Sequence, residues 1–423
     1  MYGIAVLIDQ VLSSSSMPRI DPLLAARLSQ IPVDESRSWN FEGRDTQYST
    51  HCLHTYLAAM IPPLARRLIE TYVRPGGSVL DPFCGGGAVL TEAILTGRDT
   101  VGCDVNDLAI LVSRAKTTYI ERQAIETAGK LVLEKAQSYT GPPLVFRESD
   151  YIEFWFKPYM LVPLTGLRKA VDEIDEGPLK TLFKVLFSAI VRNVSLTYRN
   201  EIRLRRMNED ERAAFNPDVF RKFADKLKEA VERVPGLPPN SKAIVEKEDT
   251  RSLPFRENEF DAIVCSPPYG DERNGVPYTQ FAKNMLYWLG YNRDYIMRSK
   301  QLTLGWSKTN KTTPPSETLL ATLEAIKPHP FSVIEAVAFY ADYFLALKEL
   351  ARVARHRVII VIGQRVLQNT VFDNARITAE LMAEIGMALE RVIARRLPTK
   401  RLPKMREFGA AINQENILIF NKS

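Results

Sequence analysis

Hydrophobic and polar positions follow two periods along this chain, and the places where one gives way to the other mark the expected elements. Leu64, Leu68, Ile69 and Tyr72 recur at helical spacing, so Pro63–Tyr72 reads as a helix that stops at the sequence RPGG. Short, nearly uncharged runs read as buried strands: Ser78–Asp81 (SVLD), Thr100–Asp104 (TVGCD), Phe260–Cys265 (FDAIVC) and Arg357–Ile362 (RVIIVI). Ala243–Val245 adds another, and Leu389–Ala394 with Asn416–Phe420 form an expected terminal antiparallel pair. Helical patterns fill Ala88–Thr96, Asp107–Tyr119, Ser332–Arg355 and Ile377–Met387. Strands alternating with helices predict an α/β fold with a doubly wound, mostly parallel, seven-stranded sheet.

Two stretches interrupt the alternation. Residues 121–240 are rich in helical patterns, aromatics and Arg, and read as an inserted, mainly helical unit. Residues 271–330 are expected to be irregular and aromatic. Residues 1–38, with the run Ser13–Ser16, read as a loosely attached leader. The sheet-forming unit is therefore expected at 39–120 and 241–423.

Composition narrows the class. The 423 residues are 45% apolar, enough for a core of ordinary size. No run of about 18 uncharged apolar residues occurs, so no membrane-spanning helix is expected and the chain reads as cytoplasmic. The four cysteines, Cys52, Cys84, Cys103 and Cys265, form no CxxC pair, and only four histidines occur. Neither a disulfide framework nor a metal site is expected.

The net charge of +6 is mild, but its distribution is not. Arg192–Arg206 holds five arginines, among them Arg199, Arg203, Arg205 and Arg206, against one Glu. Arg391–Arg406 holds seven basic residues, among them Lys400 and Arg401, and no acid. Such clusters suit a polyanionic partner whose phosphates they neutralise.

Two motifs carry chemistry. The first is Asp81–Gly87, DPFCGGG, directly after a strand. Its glycines tolerate backbone angles closed to other residues and let a ligand approach the main chain. A carboxylate at the end of the next strand, Asp104, is placed for two ribose hydroxyls. The turn is neither GxGxxG nor GxxxxGK[ST], and it offers no Lys, so it suits a ribose ligand without a phosphate chain. The second motif is Ser266–Tyr269, SPPY, at the end of FDAIVC. Pro267 and Pro268 fix φ and remove two N–H donors. Nearby carbonyls and the Ser266 hydroxyl can then accept from a planar amine while the Tyr269 ring stacks on it.

Together, DPFCGGG and SPPY resemble motifs I and IV of the S-adenosylmethionine-dependent amino-methyltransferases of DNA. The segment TQYSTHCLHTYLAAMIPPLARRLI resembles the family's cofactor-flanking N-terminal motif. The resemblance covers about 45–120 and 240–370. Family members with Ser in the tetrapeptide mostly act on cytosine N4, and those with Asp mostly on adenine N6. Many Ser-type members carry motif IV before motif I, whereas this chain has motif I first.

The resemblance implies a Rossmann-like methyltransferase fold and S-adenosylmethionine as cofactor. It implies that Asp81, Pro82, Phe83, Cys84 and Gly85–Gly87 cradle the methionine part, with Gly86 in the turn. Asp104, Val105 and Asn106 would bind the ribose, and Asp249 the adenine amine. Thr50 and His54 would flank the cofactor. Ser266, Pro267, Pro268 and Tyr269 would hold a cytosine flipped out of double-stranded DNA. The 121–240 insertion would read the target, with 271–330 a second candidate DNA-contacting loop. A cognate restriction endonuclease acting separately is the implied companion. Methylation of another base amine, adenine N6 in DNA or guanine N2 in RNA, is the alternative activity. A fold-retaining binding protein without chemistry is the alternative class.

Overall fold

A computed structural model describes residues 33–57, 59–146, 152–198, 204–270, 277–397 and 414–422. In chain order the first half contains β1 (Val33–Asp34), α1 (Pro62–Tyr72), β2 (Ser78–Asp81), α2 (Ala88–Leu95), β3 (Asp99–Cys103) and α3 (Asp107–Thr117). A helical run follows: α4 (Arg122–Gln137), α5 (Pro158–Asp172), α6 (Pro178–Val194), α7 (Glu209–Ala214) and α8 (Val219–Arg233). Then come β4 (Ile244–Glu246), β5 (Phe260–Cys265), α9 (Tyr278–Trp288), α10 (Arg293–Gln301), α11 (Glu317–Ala325) and α12 (Pro330–Val353). The last elements are β6 (Ala354–Gly363), β7 (Arg365–Leu367), β8 (Thr370–Phe372), α13 (Asn374–Glu384), β9 (Met387–Arg396) and β10 (Gln414–Lys422).

Eight strands pair in the order β1-β9-β10-β6-β5-β2-β3-β4. All neighbours are parallel except β10, which runs antiparallel to both β6 and β9. The count exceeds the expected seven by one, because the two-residue β1 lays Val33 and Asp34 beside Val392 and Ile393. Tail residues expected to be loose thus reach the sheet edge.

Side chains alternate across the sheet with period two, and each face buries its own set. Val79, Ala262, Val264, Ile359, Val361, Ile417 and Ile419 pack against Leu64, Leu68 and Ile69 of α1 and Val89 of α2. Leu80, Ile263, Cys265, Val358, Ile360, Leu418 and Phe420 pack against α12 and α13. Both faces are covered, which is why these strands read as nearly continuous apolar runs. Helix α12 is long and apolar enough to cross a membrane by length and composition alone. Here it is a core helix, with Val333, Val337, Tyr340, Tyr343 and Leu347 buried against the sheet.

The 271–330 stretch departs from its expected irregularity: α9, α10 and α11 lie within it. Helix α9 buries Phe281, Ala282, Met285, Leu286 and Trp288, a helical period hidden by aromatic composition. Asn292 accepts from Tyr295 N and Ser316 from Leu319 N, side-chain caps that start α10 and α11. Trp288 is fully buried, with Phe146, Phe156 and Phe187 presenting edges to it at 4.8, 5.7 and 6.2 Å. Helix α9 therefore shares one apolar core with α4, α5, α6 and α8, and that core reaches Leu108 and Val112 of α3.

The sheet reverses its winding between β2 and β5. From β2 the chain steps outward to β3 and β4, and from β5 it steps the other way to β6. Ligand crevices open at the carboxyl ends of strands at such a switch point. Asp81 ends β2 and Ser266 follows β5, so the topology brings the two motifs together.

Candidate active site

The turn after β2 is knitted by carboxylates. Asp81 is buried, and its Oδ1 accepts from Phe83 N at 3.1 Å. Asp104 accepts from Gly85 N at 3.0 Å and from Asn106 N at 2.8 Å, which ties the turn to the end of β3. Gly85 and Gly87 have φ of +48° and +76°, in the left-handed region. A Cβ on Gly86 would sit 2.7 Å from Tyr56 Cβ, and one on Gly87 would sit 2.8 Å from Ser113 Oγ. Burial pushes the Asp104 carboxyl up to about 6. Burial, with the Asp104 charge adding to it, pushes Asp81 up to about 8. Both carboxyls would gain from donors supplied by a ligand.

The opposite wall starts at Ser266. Its Oγ lies 3.2 Å from the Tyr269 hydroxyl, which donates to Glu415 Oε1 at 3.1 Å. Arg395 Nη1 lies 3.5 Å from Glu415 Oε2. Asn374 Nδ2 donates to the carbonyls of Tyr269 and Gly363 and pins the tetrapeptide to the end of β6. Gly270, at φ +84°, lets Phe339 and Arg365 close in, since a Cβ there would sit 2.9 Å from the Phe339 ring. Arg365 is buried, and its Nη2 donates to Glu335 Oε1 at 3.0 Å.

One cleft of about 770 Å³ joins the walls. Asp81, Pro82, Phe83, Cys84, Gly85, Asp104, Val105, Asn106 and Asp249 line it from one side, and Ser266, Pro268 and Gly270 from the other. That volume suits a small ligand together with part of a second. Lys283, Arg293, Lys300 and Lys308 also line it, with Tyr278 and Trp306. The segment after Leu302 is anchored through fully buried Asp342, which pairs with Arg251 and Lys311 and accepts from Gly305 N at 2.9 Å.

Several residues singled out by sequence fall elsewhere. Gly86 and Gly87 shape the turn but do not line the cleft, and Pro267 is buried behind it. Tyr269 is not a lining residue either. Its ring packs at the edge of the apolar cluster under the sheet, and the hydroxyl is the part with polar partners. Thr50 and His54 also stand off the cleft. Thr50 Oγ1 donates to the Lys116 carbonyl at 2.6 Å. His54 is buried, and burial plus the Lys116 charge hold its imidazole down at about 3, so it is neutral. From that segment it is Tyr56, Leu57, Ala59 and Met60 that reach the cleft. The Asp249 carboxylate already accepts from Arg251 N and the Arg251 guanidinium.

Burial raises the thiols of Cys84, which lines the cleft, and of Cys265, which is fully buried in β5, well above the ordinary range and leaves both protonated at neutral pH. Arg205 lies over the Tyr198 ring at 4.1 Å and Arg206 over Phe154 at 3.8 Å. Arg199, Arg203, Lys400 and Arg401 lie outside the described residues. Sequence reasoning missed Tyr56, Glu335, Phe339, Asp342, Arg365, Arg395 and Glu415. Tyr56 lies within the N-terminal motif, where the sequence points to Thr50 and His54 in its place; the others sit far along the chain from both motifs, and no local pattern marks them.

The chain matches the DNA methylase family profile over residues 28–113. It is 30% identical over 422 residues to the type II methyltransferase M.MvaI of Kocuria varians, spanning 90% of this chain and 92% of that protein. It is 24% identical over 331 residues to the type II methyltransferase M.BsoBI of Geobacillus stearothermophilus, spanning 70% of this chain and 64% of that protein. A shorter match, 34% over 103 residues, covers 20% of this chain and 28% of the tRNA (guanine(10)-N2)-dimethyltransferase of Methanocaldococcus jannaschii. Left-handed glycines, two carboxylates lining the cleft and a cleft of that size fit S-adenosylmethionine. With full-length likeness to M.MvaI added to that site, the chain belongs to the S-adenosylmethionine-dependent type II DNA methyltransferases of the N6/N4 family.

Proposed function

We propose that this protein methylates the exocyclic N4 amine of a cytosine swung out of duplex DNA. The observation that carries the reading is Ser266, a neutral hydroxyl at the carboxyl end of β5, in the same cleft as the Gly85 turn and Asp104. A base amine is a poor nucleophile because its lone pair is delocalised into the ring. Ser266 Oγ and the carbonyls beside Pro267 and Pro268 accept its N–H bonds and favour a nitrogen whose lone pair points at the cofactor. S-adenosylmethionine, when bound, supplies an electrophilic methyl group on sulfur.

The residues act by positioning and electrostatics. Asp104 takes two ribose hydroxyls, and Asp81 with the Gly85–Gly87 backbone cradles the methionine part. Asp249 shares its carboxylate between Arg251 and the adenine amine. A base inside a duplex cannot reach this cleft, so it must leave the stack. The cleft cations Lys283, Arg293, Lys300 and Lys308, with Arg205 and Arg206 on the helical insertion, meet the backbone phosphates. The helices of 121–240 read the target sequence, and a separate endonuclease recognises the same site.

The test is mass spectrometry of nucleosides from DNA of cells expressing the chain, with sequencing that locates the modified base. N4-methylcytosine at one recurrent site is the expected result. N6-methyladenine in place of N4-methylcytosine overturns the reading.

A further inference from the structure

Ser266 has one proton and must direct it away from the target amine if its oxygen is to accept from that amine. Its neighbour at 3.2 Å is the Tyr269 hydroxyl, which has one proton of its own. The direction of this pair is set by what lies beyond it. That group is Glu415, whose Oε1 is 3.1 Å from the Tyr269 oxygen. An ionised carboxylate only accepts, so the Tyr269 hydroxyl donates its hydrogen bond to Glu415. The tyrosine oxygen is then free to accept from Ser266, and Ser266 keeps its lone pairs for the base.

Glu415 comes from β10, far along the chain from the tetrapeptide. Its register puts it directly opposite Arg395 on β9 and Gly363 on β6. Cross-strand neighbours of this kind present their side chains on one face. Burial raises the Glu415 carboxyl above its ordinary range, and Arg395, 3% exposed with Nη1 3.5 Å from Glu415 Oε2, works against that burial and favours the ionised form. Burial raises the Tyr269 hydroxyl well above its ordinary range, so it keeps the proton it donates.

We propose that Glu415, held by Arg395, is a positioning residue. Through Tyr269 it orients the Ser266 hydroxyl as an acceptor for the target amine. The terminal strand pair thereby takes part in the site although neither strand lines the cleft. The inference rests on the reading of Ser266 as the amine's acceptor. It also changes what Tyr269 does, because the hydroxyl, and not the ring alone, becomes the functional part.

The experiment is single-turnover transfer of a labelled methyl group by the full chain to a duplex bearing its site, alongside cofactor and DNA affinities and thermal unfolding. Glu415→Gln keeps the shape of the side chain but replaces an acceptor with an amide that also donates. It should slow transfer roughly 10- to 100-fold, the range for a hydrogen bond to a charged group. Both affinities should stay within about twofold, below the cost of losing one neutral hydrogen bond. Tyr269→Phe keeps the ring and cuts the chain, and should slow transfer to a similar degree. The double variant should be no slower than either single one, because both remove the same link.

Full-rate transfer by Glu415→Gln or by Tyr269→Phe overturns the proposal, as does an additive double variant. If Glu415→Gln fails to fold, Tyr269→Phe alone decides. A Ser266→Ala variant separates the two levels of the argument. Its full activity would sink the reading on which the proposal rests. A slow Ser266→Ala beside a full-rate Glu415→Gln would sink the proposal alone.

Discussion

The wall carrying Asp81 and the wall carrying Ser266 face one cleft, but they are assembled differently. The first is local. Asp81, the three glycines, Asp104 and Asn106 lie within one strand–turn–helix–strand unit, and backbone N–H groups hold the carboxylates at 2.8 to 3.1 Å. The second is gathered from across the chain. Ser266 needs Tyr269, Glu415 and Arg395, while Gly270 needs Phe339 and Arg365, and the covering segment hangs on Asp342. A wall made of backbone varies little with distant side chains. A wall made of distant side chains can be changed from many places. In the function proposed above, the cofactor, which is common to many reactions, sits on the first wall, and the base that distinguishes one enzyme from another faces the second.

The largest expected effect strikes the gathered wall first and reaches the other only through Arg251, which also holds Asp249. Asp342 is fully buried between Arg251 and Lys311, and removing one partner of such a set strands the rest. Asp342→Ala should cost about 3–5 kcal/mol of stability. Urea denaturation measures it. Cofactor affinity in the folded fraction should change far less, through the Arg251–Asp249 pair, and an equal loss would mean the walls are not independent. The local wall is struck by Gly87→Ala, which places a Cβ against Ser113 at positive φ. Left-handed strain and overpacking together should cost about 2–4 kcal/mol. That loss should appear in cofactor binding by calorimetry as well as in stability.

Next comes Asp104→Ala, which should weaken cofactor binding by about 1.5–3 kcal/mol while duplex affinity is kept. The same carboxyl sets a pH dependence. Raised to about 6 in the free protein, it accepts fully only when ionised. Cofactor affinity should therefore rise with pH through about 6, and binding near that pH should release protons. Without cofactor, the raised carboxyls of Asp104 and Asp81 cost stability as pH climbs from the ordinary carboxyl range through about 8. An affinity flat from about pH 5 to about pH 8, a span around the raised carboxyl of Asp104, would remove Asp104 from the ribose role. The smallest effect belongs to Arg205→Ala on the helical insertion. It should lower the salt slope of DNA binding by about one and leave cofactor binding alone.

The same contrast explains what could be read from the sequence. Strands β2, β3, β5 and β6 were legible because burial on both faces leaves few charged positions in them. The DPFCGGG turn was legible because its backbone demands glycine at fixed offsets. SPPY was legible as a motif, but the work of Tyr269 was not. From the sequence alone the ring is the obvious handle, and only the pairing of β10 with β6 and β9 gives the hydroxyl its partners. Thr50 and His54 were drawn to the cofactor by likeness of segment, yet a short 3-10 turn over Ser49–Leu53 faces Thr50 toward Lys116. Helices α10 and α11 were hidden because their starts depend on single caps, Asn292 and Ser316, in a stretch dominated by aromatics. The 121–240 helices were visible as helices, but their union with α9 around Trp288 is a contact between distant segments.

The placement of β10 also bears on how the protein is made. Of the ten strands among the described residues it emerges last from the ribosome, yet it lies in the interior of the sheet between β6 and β9. While Gln414–Lys422 is still unsynthesised, both neighbours present open edges, the kind of surface that pairs with other chains. The nascent protein is therefore exposed to misassembly until β10 has been made. Glu415 arrives on the same strand. A chain interrupted before it can form the glycine turn in full, but it has neither a closed sheet nor the carboxylate behind Tyr269.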